Sequence, residues 1–234
     1  MSNQSDLGRL DITQEKAWHF EAVRSVLPVG WGLTAIGFLG PWVAHSTSAL
    51  ALSGADMAEF VKFLPGVLDG SIPLVRQWFY LPPLAITTSI ALLIGSRTLR
   101  YTSLLQALAM LLGFAASLQI LPPAWSPSSL MTTEFRAQVL GLGISWLLLA
   151  SFWLLRRLPF WLLGSLSAGF CVIALALSLW QYLIAKPAID MAYNAAPDAG
   201  WGLFVCLVGL AAAAAASGLA LTTRSWARAR RLGS

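Results

Sequence analysis

The chain is 234 residues long, 57% hydrophobic and only 11% charged, with a formal net charge of +5. A soluble globular domain carries about 25% charged residues, so this composition excludes one and points to an integral membrane protein. Its apolar residues come in continuous blocks and do not alternate, which excludes a transmembrane β-barrel and leaves the number of helical spans as the quantity to settle.

Residues 1–25 form a predicted cytoplasmic amphipathic segment. Asp11 with Gln14 resembles a helix cap, and Ile12, Phe20, Val23, Val26 and Leu27 share one sector of a helical wheel, interrupted by Lys16 and His19. With Trp18 as an interfacial anchor, the segment is expected to lie in the membrane surface as an elbow before the first span. Its acidic residues are unlike the basic start of a secretory signal, so the first apolar block is expected to be retained despite the small-residue run Ser48-Ala49-Leu50-Ala51.

Six blocks free of Asp, Glu, Lys and Arg follow: Val26 to His45, Phe79 to Gly95, Ser103 to Leu121, Gln138 to Leu155, Phe160 to Ala185 and Trp201 to Thr223. The expected fold is therefore all-α, a six-span bundle over residues 26–223 with a basic tail at 224–234. The second block is the shortest, and Pro82-Pro83 disturbs its first turn. Of the fifteen basic residues, eleven fall in the two tails and the connections after the second and fourth spans. The other four, Lys62, Arg76, Arg136 and Lys186, lie in the remaining loops. Basic residues stay on the cytoplasmic side, so both termini are predicted there, in a bacterial inner or plasma membrane. The same distribution explains the basic charge by anionic headgroups and argues against nucleic acid as a partner.

The predicted outer loops, 46–78, 122–137 and 186–200, are the long ones. In the first, Ser53-Gly54-Ala55-Asp56 has the form of a capping box, followed by Met57, Phe60, Val61 and Leu64 on one helical face. This predicts a short amphipathic helix from Gly54 to Phe63, stopped by Leu64-Pro65-Gly66, that shields the bundle or offers a ledge to a partner. Asp56-Met57-Ala58 has an echo in Asp190-Met191-Ala192, too short to carry an internal repeat.

Helices in lipid associate through small residues that let backbones approach. Candidates are Gly37 and Gly40 in the first span, Gly141 and Ser145 in the fourth, Ser165 and Gly169 in the fifth, and Gly209, Ala213 and Ala216 in the sixth, whose alanine run suits a buried place in the bundle or against another subunit. Trp31, Trp42, Trp78, Phe79, Tyr80, Trp125, Trp161, Trp180, Tyr182 and Trp201 sit near span ends, where an interfacial belt is expected. Cys171 and Cys206 lie at different depths, so they read as packing residues and not as a disulfide.

No ionisable residue falls inside a span away from its ends, which disfavours proton relays, voltage sensors and intramembrane hydrolysis. There is no phosphate-binding Gly-rich loop, nucleophile elbow or paired-Cys metal motif. No cofactor is therefore expected. His45 is the one histidine placed to ligate a pigment or metal, and the outer carboxylates Asp56, Glu59, Asp69, Glu134, Asp190 and Asp198 read as a solvated rim. Gln106 and Gln119, at opposite ends of the third span, are expected to bond between helices or to line a polar path.

The layout, a cytoplasmic elbow and six spans, resembles export-type ABC permeases in topology, although the turn from Ser96 to Thr102 is shorter than their coupling segment. The expected function is a non-catalytic integral membrane subunit of a larger assembly, in particular a transport complex with other membrane subunits and a separate ATPase. The alternatives are a self-sufficient channel or carrier for a lipid or neutral solute, and an accessory subunit of a pigment- or haem-containing complex.

Overall fold

The computed structural model describes residues 4–45, 51–121 and 125–219, with side-chain surroundings from residue 21 onward. The chain is mostly helical. Helix α1 (Gln4–Leu39) runs unbroken for 36 residues with Pro28 inside it. The expected elbow is thus a continuous helix, and Asp11 lies within it instead of capping it. The side chains of Trp18, His19 and Lys16, the run at 48–50, the end of the sixth block and the tail arginines Arg224, Arg228, Arg230 and Arg231 lie outside the described residues.

Helix α1 stops at Leu39 and not at His45, because the Gly40-Pro41 step favours extended backbone. The chain then forms β1 (Pro41–Val43), which pairs antiparallel with β2 (Leu52–Ser53), so the fold carries a small ribbon that an all-α expectation leaves out. Val43 also bridges Ala199, and the Gly200 amide donates to the Trp42 carbonyl at 2.9 Å. The expected capping box is built as read. Ser53 accepts from the Asp56 amide, and Asp56 accepts from the Ser53 amide at the start of α2 (Gly54–Phe60). A 3-10 turn over Val61–Phe63 follows, and Pro65 starts another short turn, α3 (Pro65–Leu68).

A second 3-10 turn (Arg76–Tyr80) leads into α4 (Leu81–Leu93), with Pro82 and Pro83 in the first helical turn, where no amide is needed. Helix α5 (Ser103–Leu118) is followed by the short turns α6 (Pro127–Leu130) and Thr133–Phe135. Helix α7 (Arg136–Ala150) is separated by Ser151 from a last turn, α8 (Phe152–Leu155). Helix α9 (Phe160–Tyr193) has 34 residues and ends on Asn194 in the left-handed conformation, and α10 (Trp201–Gly218) has 18.

Among the described residues, three segments are long and apolar enough to cross a membrane: Glu21–Leu39, Phe160–Tyr193 and Trp201–Gly218. Helices α4, α5 and α7, with 13, 16 and 15 residues, fall short of that length. Helices α1 and α10 run antiparallel, and so do α4 and α9. The buried centre is α4, flanked by α1, α5, α7, α9 and α10, with ten of its 13 residues buried. The expected burial of the sixth block is only one-sided, since Trp201, Phe204 and Val208 of α10 are exposed. We call the end carrying the ribbon and α2 the loop face, and the end carrying residues 95–102 and 151–159 the turn face.

Half of the expected aromatic belt belongs to the core instead. Trp31, Trp42, Phe79, Tyr80 and Tyr182 are buried, while Trp125, Trp180 and Trp201 are exposed. The Trp42 ring packs edge-on against Phe38, Phe79 and Tyr182, and its indole N–H donates to the Gly37 carbonyl at 3.1 Å. A buried tryptophan is stable there because its single donor is satisfied within the helix end it covers.

Candidate functional site

Helices α1 and α10 meet backbone against backbone. A Cβ added at Gly37 would lie 2.2 Å from the Cys206 nitrogen, one at Gly209 2.4 Å from the Thr34 nitrogen, and one at Gly202 2.4 Å from the Gly40 carbonyl carbon. One at Gly30 would meet the Ala213 nitrogen at 3.0 Å. Gly37, Gly40, Gly209 and Ala213 are therefore brought together as the small-residue rule expects. Gly30, Gly202 and Cys206 complete the seam. Their signal is the spacing of seven, Gly30 to Gly37 and Gly202 to Gly209 to Ala216, which repeats one contact every two turns.

The other small residues behave differently. A Cβ at Gly141 would only touch Leu84 at 3.8 Å, and Ser145, though buried, bonds its own helix at the Gly141 carbonyl. Ser165 likewise donates to Trp161 of its own helix, and Gly169 is exposed with nothing within 4 Å of an added Cβ. The buried face of α9 is instead Gly164, Ser167, Cys171, Ala174, Ser178 and Gln181.

That face carries a polar knot. The Trp31 indole N–H donates to the Ser89 hydroxyl at 2.9 Å, Ser167 donates to Ser89 at 2.8 Å, and Ser167 and Ser217 are 2.9 Å apart. A hydroxyl has one hydrogen, so with Ser167 donating to Ser89 it is Ser217 that donates to Ser167. The four residues are buried and come from α1, α4, α9 and α10, one each. Nearer the loop face, the Gln181 side-chain carbonyl accepts from the Val75 amide at 2.9 Å and Ser178 donates to the Trp78 carbonyl at 3.2 Å, so α9 also satisfies the backbone leading into α4. Thr87 shares its hydrogen between Pro83 of its own helix and Gly113 of α5.

The loop face holds a charge cluster in place of a simple rim. Lys62 reaches Glu59 at 2.7 Å and Glu134 at 3.3 Å; Arg76 reaches Glu134 at 3.1 Å and Glu59 at 3.7 Å. Tyr80 donates to Glu59 at 3.1 Å, and Arg76 also donates to the Glu134 backbone carbonyl. The cluster has two acids and two bases and ties the first loop to the entry of α7. Hydrogen bonding to Glu59 holds the Lys62 ammonium above its ordinary pKa, and the bond from Lys62 holds the Glu134 carboxyl below its own. Gln138 is buried beside it with neither amide atom in a well-formed hydrogen bond.

The remaining candidates disperse. Met57 is fully buried, so it serves the chain's own core, while Phe60 is half-buried against the Tyr193 ring at 5.9 Å. His45 meets that same Tyr193 ring at 5.6 Å. Among the described residues, no group of three or more His, Cys, Asp or Glu side chains is placed to hold a metal. Gln106 donates to the Tyr101 carbonyl at the start of its own helix. Gln119 edges an apolar crevice of about 80 Å³ between α1, α4 and α5, lined mainly by Ala35, Phe38, Pro83, Ile86 and Leu112. The two glutamines thus do not meet in a path. Cys171 and Cys206 are free and buried, each a packing residue.

Compared with protein-family models, with curated proteins and with solved structures, the chain matches none.

Proposed function

We propose that the protein is a non-catalytic integral membrane subunit of a larger assembly. The assembly we favour is a transport complex whose energy comes from a separate ATPase. The observation that carries this reading is the shortfall of α5. At 1.5 Å per residue its 16 residues rise only about 24 Å, against a hydrocarbon core of about 30 Å, whereas the 15 residues of α7 are continued past Ser151 by the turn of α8. A short helix in a bilayer is accommodated by thinning the membrane or by acquiring neighbours. α4 is shorter still, but its own chain surrounds it. Helices α5 and α7 turn Leu104, Leu108, Leu111, Leu140, Ile144 and Leu147 outward, and this is the side on which a neighbouring subunit fits.

The buried centre favours a subunit over a carrier. It is α4, whose Thr87 and Ser89 hydroxyls are bonded within the bundle, and the crevice edged by Gln119, at about 80 Å³, is well below the roughly 300 Å³ at which small-molecule sites begin. Extraction in mild detergent tests the reading: the expected result is a particle heavier than the 25.1 kDa chain, containing a second membrane protein in fixed ratio. A bare monomer that carries a lipid or neutral solute across liposomes on its own would overturn it in favour of the carrier.

A further inference from the structure

The turn face carries arginines that, among the described residues, have no acidic partner. There is no Asp or Glu from Gly70 to Thr133 or from Phe135 to Ile189, so both turns are wholly basic. Among the described residues, Arg97, Arg100, Arg156 and Arg157 make no ion pair with an acid. The two turns are neighbours in space. A Cβ at Gly95 would lie 3.1 Å from the Phe152 ring and 3.6 Å from the Arg156 Cβ, which sets Arg156 beside the turn that bears Arg97. Arg24 of α1 acts electrostatically on Tyr101 and so borders the same surface.

The turns are built to present these side chains. Ser96, Leu99 and Tyr101 are buried and anchor the first turn, which leaves Arg97 and Arg100 exposed. Arg100 holds a φ of +46°, in the left-handed region where glycine is the usual residue. In the second turn the Arg156 guanidinium lies 4.0 Å above the Trp153 ring, and its Nε is buried without a hydrogen-bond partner. Stacking on an aromatic face fixes the plane of a guanidinium and leaves its outer N–H groups for a planar or tetrahedral oxyanion. Trp153, Leu154 and Leu158 beside it are exposed and apolar.

We propose that this surface is a binding site for the headgroup phosphate of an anionic phospholipid, held by Arg97, Arg156 and Arg157 with Arg100 and Arg24 at its rim. The phosphate meets the guanidinium groups while the acyl chains run down Trp153 and Leu154 along the outside of the bundle. The apolar half of the site decides for a lipid over free phosphate, which would have no use for it. The inference needs the chain to lie in a membrane and does not depend on its having a partner subunit.

The test uses the full chain in discs of phosphatidylcholine alone or with phosphatidylglycerol, reading the thermal midpoint and the lipid retained after delipidation. Wild type is expected to retain phosphatidylglycerol preferentially and to melt higher with it. The exposed-site variants Arg97→Gln and Arg157→Gln should each weaken retention about fivefold, the worth of one arginine near an anionic surface. Arg136→Gln, at the loop face, should leave retention unchanged. Equal retention by all three variants, or an equal loss with Arg136→Gln, overturns the proposal, because the attraction is then general charge. A midpoint rise with inorganic phosphate as large as that with phosphatidylglycerol overturns it in favour of a free-anion site. Arg156→Lys, which keeps the charge and loses the stacked plane, should fall between wild type and Arg157→Gln.

Discussion

Helix pair α1–α10 and helix pair α5–α7 are both antiparallel neighbours, yet they are held in opposite ways. The first pair touches through main-chain atoms, with glycines at seven-residue intervals and no room for a methyl group. The second touches through side chains: Phe114 stacks on Trp146 at 5.5 Å, and the Trp146 indole donates to Ser117 at 3.0 Å. Rotamers can absorb a change in the second contact and cannot in the first. A body of α1, α4, α9 and α10, joined by the Trp31-Ser89-Ser167-Ser217 knot, is therefore the rigid part. The α5–α7 hairpin is attached to it by α4 and, at the loop face, by the charges around Glu134.

The largest effect should come from the seam. Gly37→Ala puts a Cβ into the Cys206 backbone, and forced overpacking of this kind costs about 3 kcal/mol. Thermal melting in detergent should show a large drop in midpoint, with Gly169→Ala, which meets open space, serving as the silent control. If both variants melted alike, the rigid-body view of the α1–α10 pair would be wrong.

Next is the knot. Ser167→Ala removes the hydroxyl that joins α4 to α10 and should cost about 1 kcal/mol, whereas Ser165→Ala, which loses only a bond to its own helix, should cost close to nothing. Equal midpoints for the two would reduce the knot to incidental contact.

The hairpin should respond less. Trp146→Phe keeps a ring against Phe114 and deletes the bond to Ser117, for a loss of roughly 0.6 kcal/mol. Limited proteolysis should then cut the connection between α5 and α7 faster while the body stays intact.

The smallest effect is at the charges. Glu134 has an exposed side chain, so Glu134→Gln should cost below about 0.5 kcal/mol and fade in high salt. Its folded pKa lies below the ordinary 4.5, so its contribution is full above that value and is lost as pH falls through the depressed folded one. Lys62 lies above its ordinary 10.5, so its share is full below that value and is lost as pH rises through the raised folded one. Melting midpoints should thus be flat across neutral pH, and Glu134→Gln should abolish the acid-side decline contributed by this residue.

What was legible in the sequence follows the range of the interaction. The α2 cap was readable because Ser53 and Asp56 complete it within four residues. The apolar blocks were readable because hydrophobicity is a property of composition, and each one holds helix, although the fourth is divided at Ser151 into α7 and α8 and, among the described residues, only three helices are long enough to cross a membrane. The end of α1 was misplaced because Trp42 and Val43 continue the apolar run, although Gly40-Pro41 already carries the stop. The ribbon was invisible, since strands of two and three residues have no period to detect. Ser165 and Gly169 satisfy the four-residue small pattern on a face of α9 turned away from the knot, while Ser167, two residues on, faces it. Spacing within a helix defines a stripe, and only the neighbour decides which stripe is used. The same limit hid the burial of Trp31 and Trp42, whose partners lie on α4 and on the preceding helix end.

Helix α9 gives the molecule a lever. Its 34 residues rise about 51 Å, roughly 20 Å more than the thickness of a hydrocarbon core of about 30 Å. The final turns, with the Lys186–Asp190 pair and Tyr193 against His45 and Phe60, carry the cap of the loop face. A tilt change of about 10° within the membrane would swing its tip by about 3.5 Å, enough to remake contacts at the cap. Pro187, which forfeits one helical hydrogen bond just below the tip, is the joint at which such a swing would be taken up or passed on.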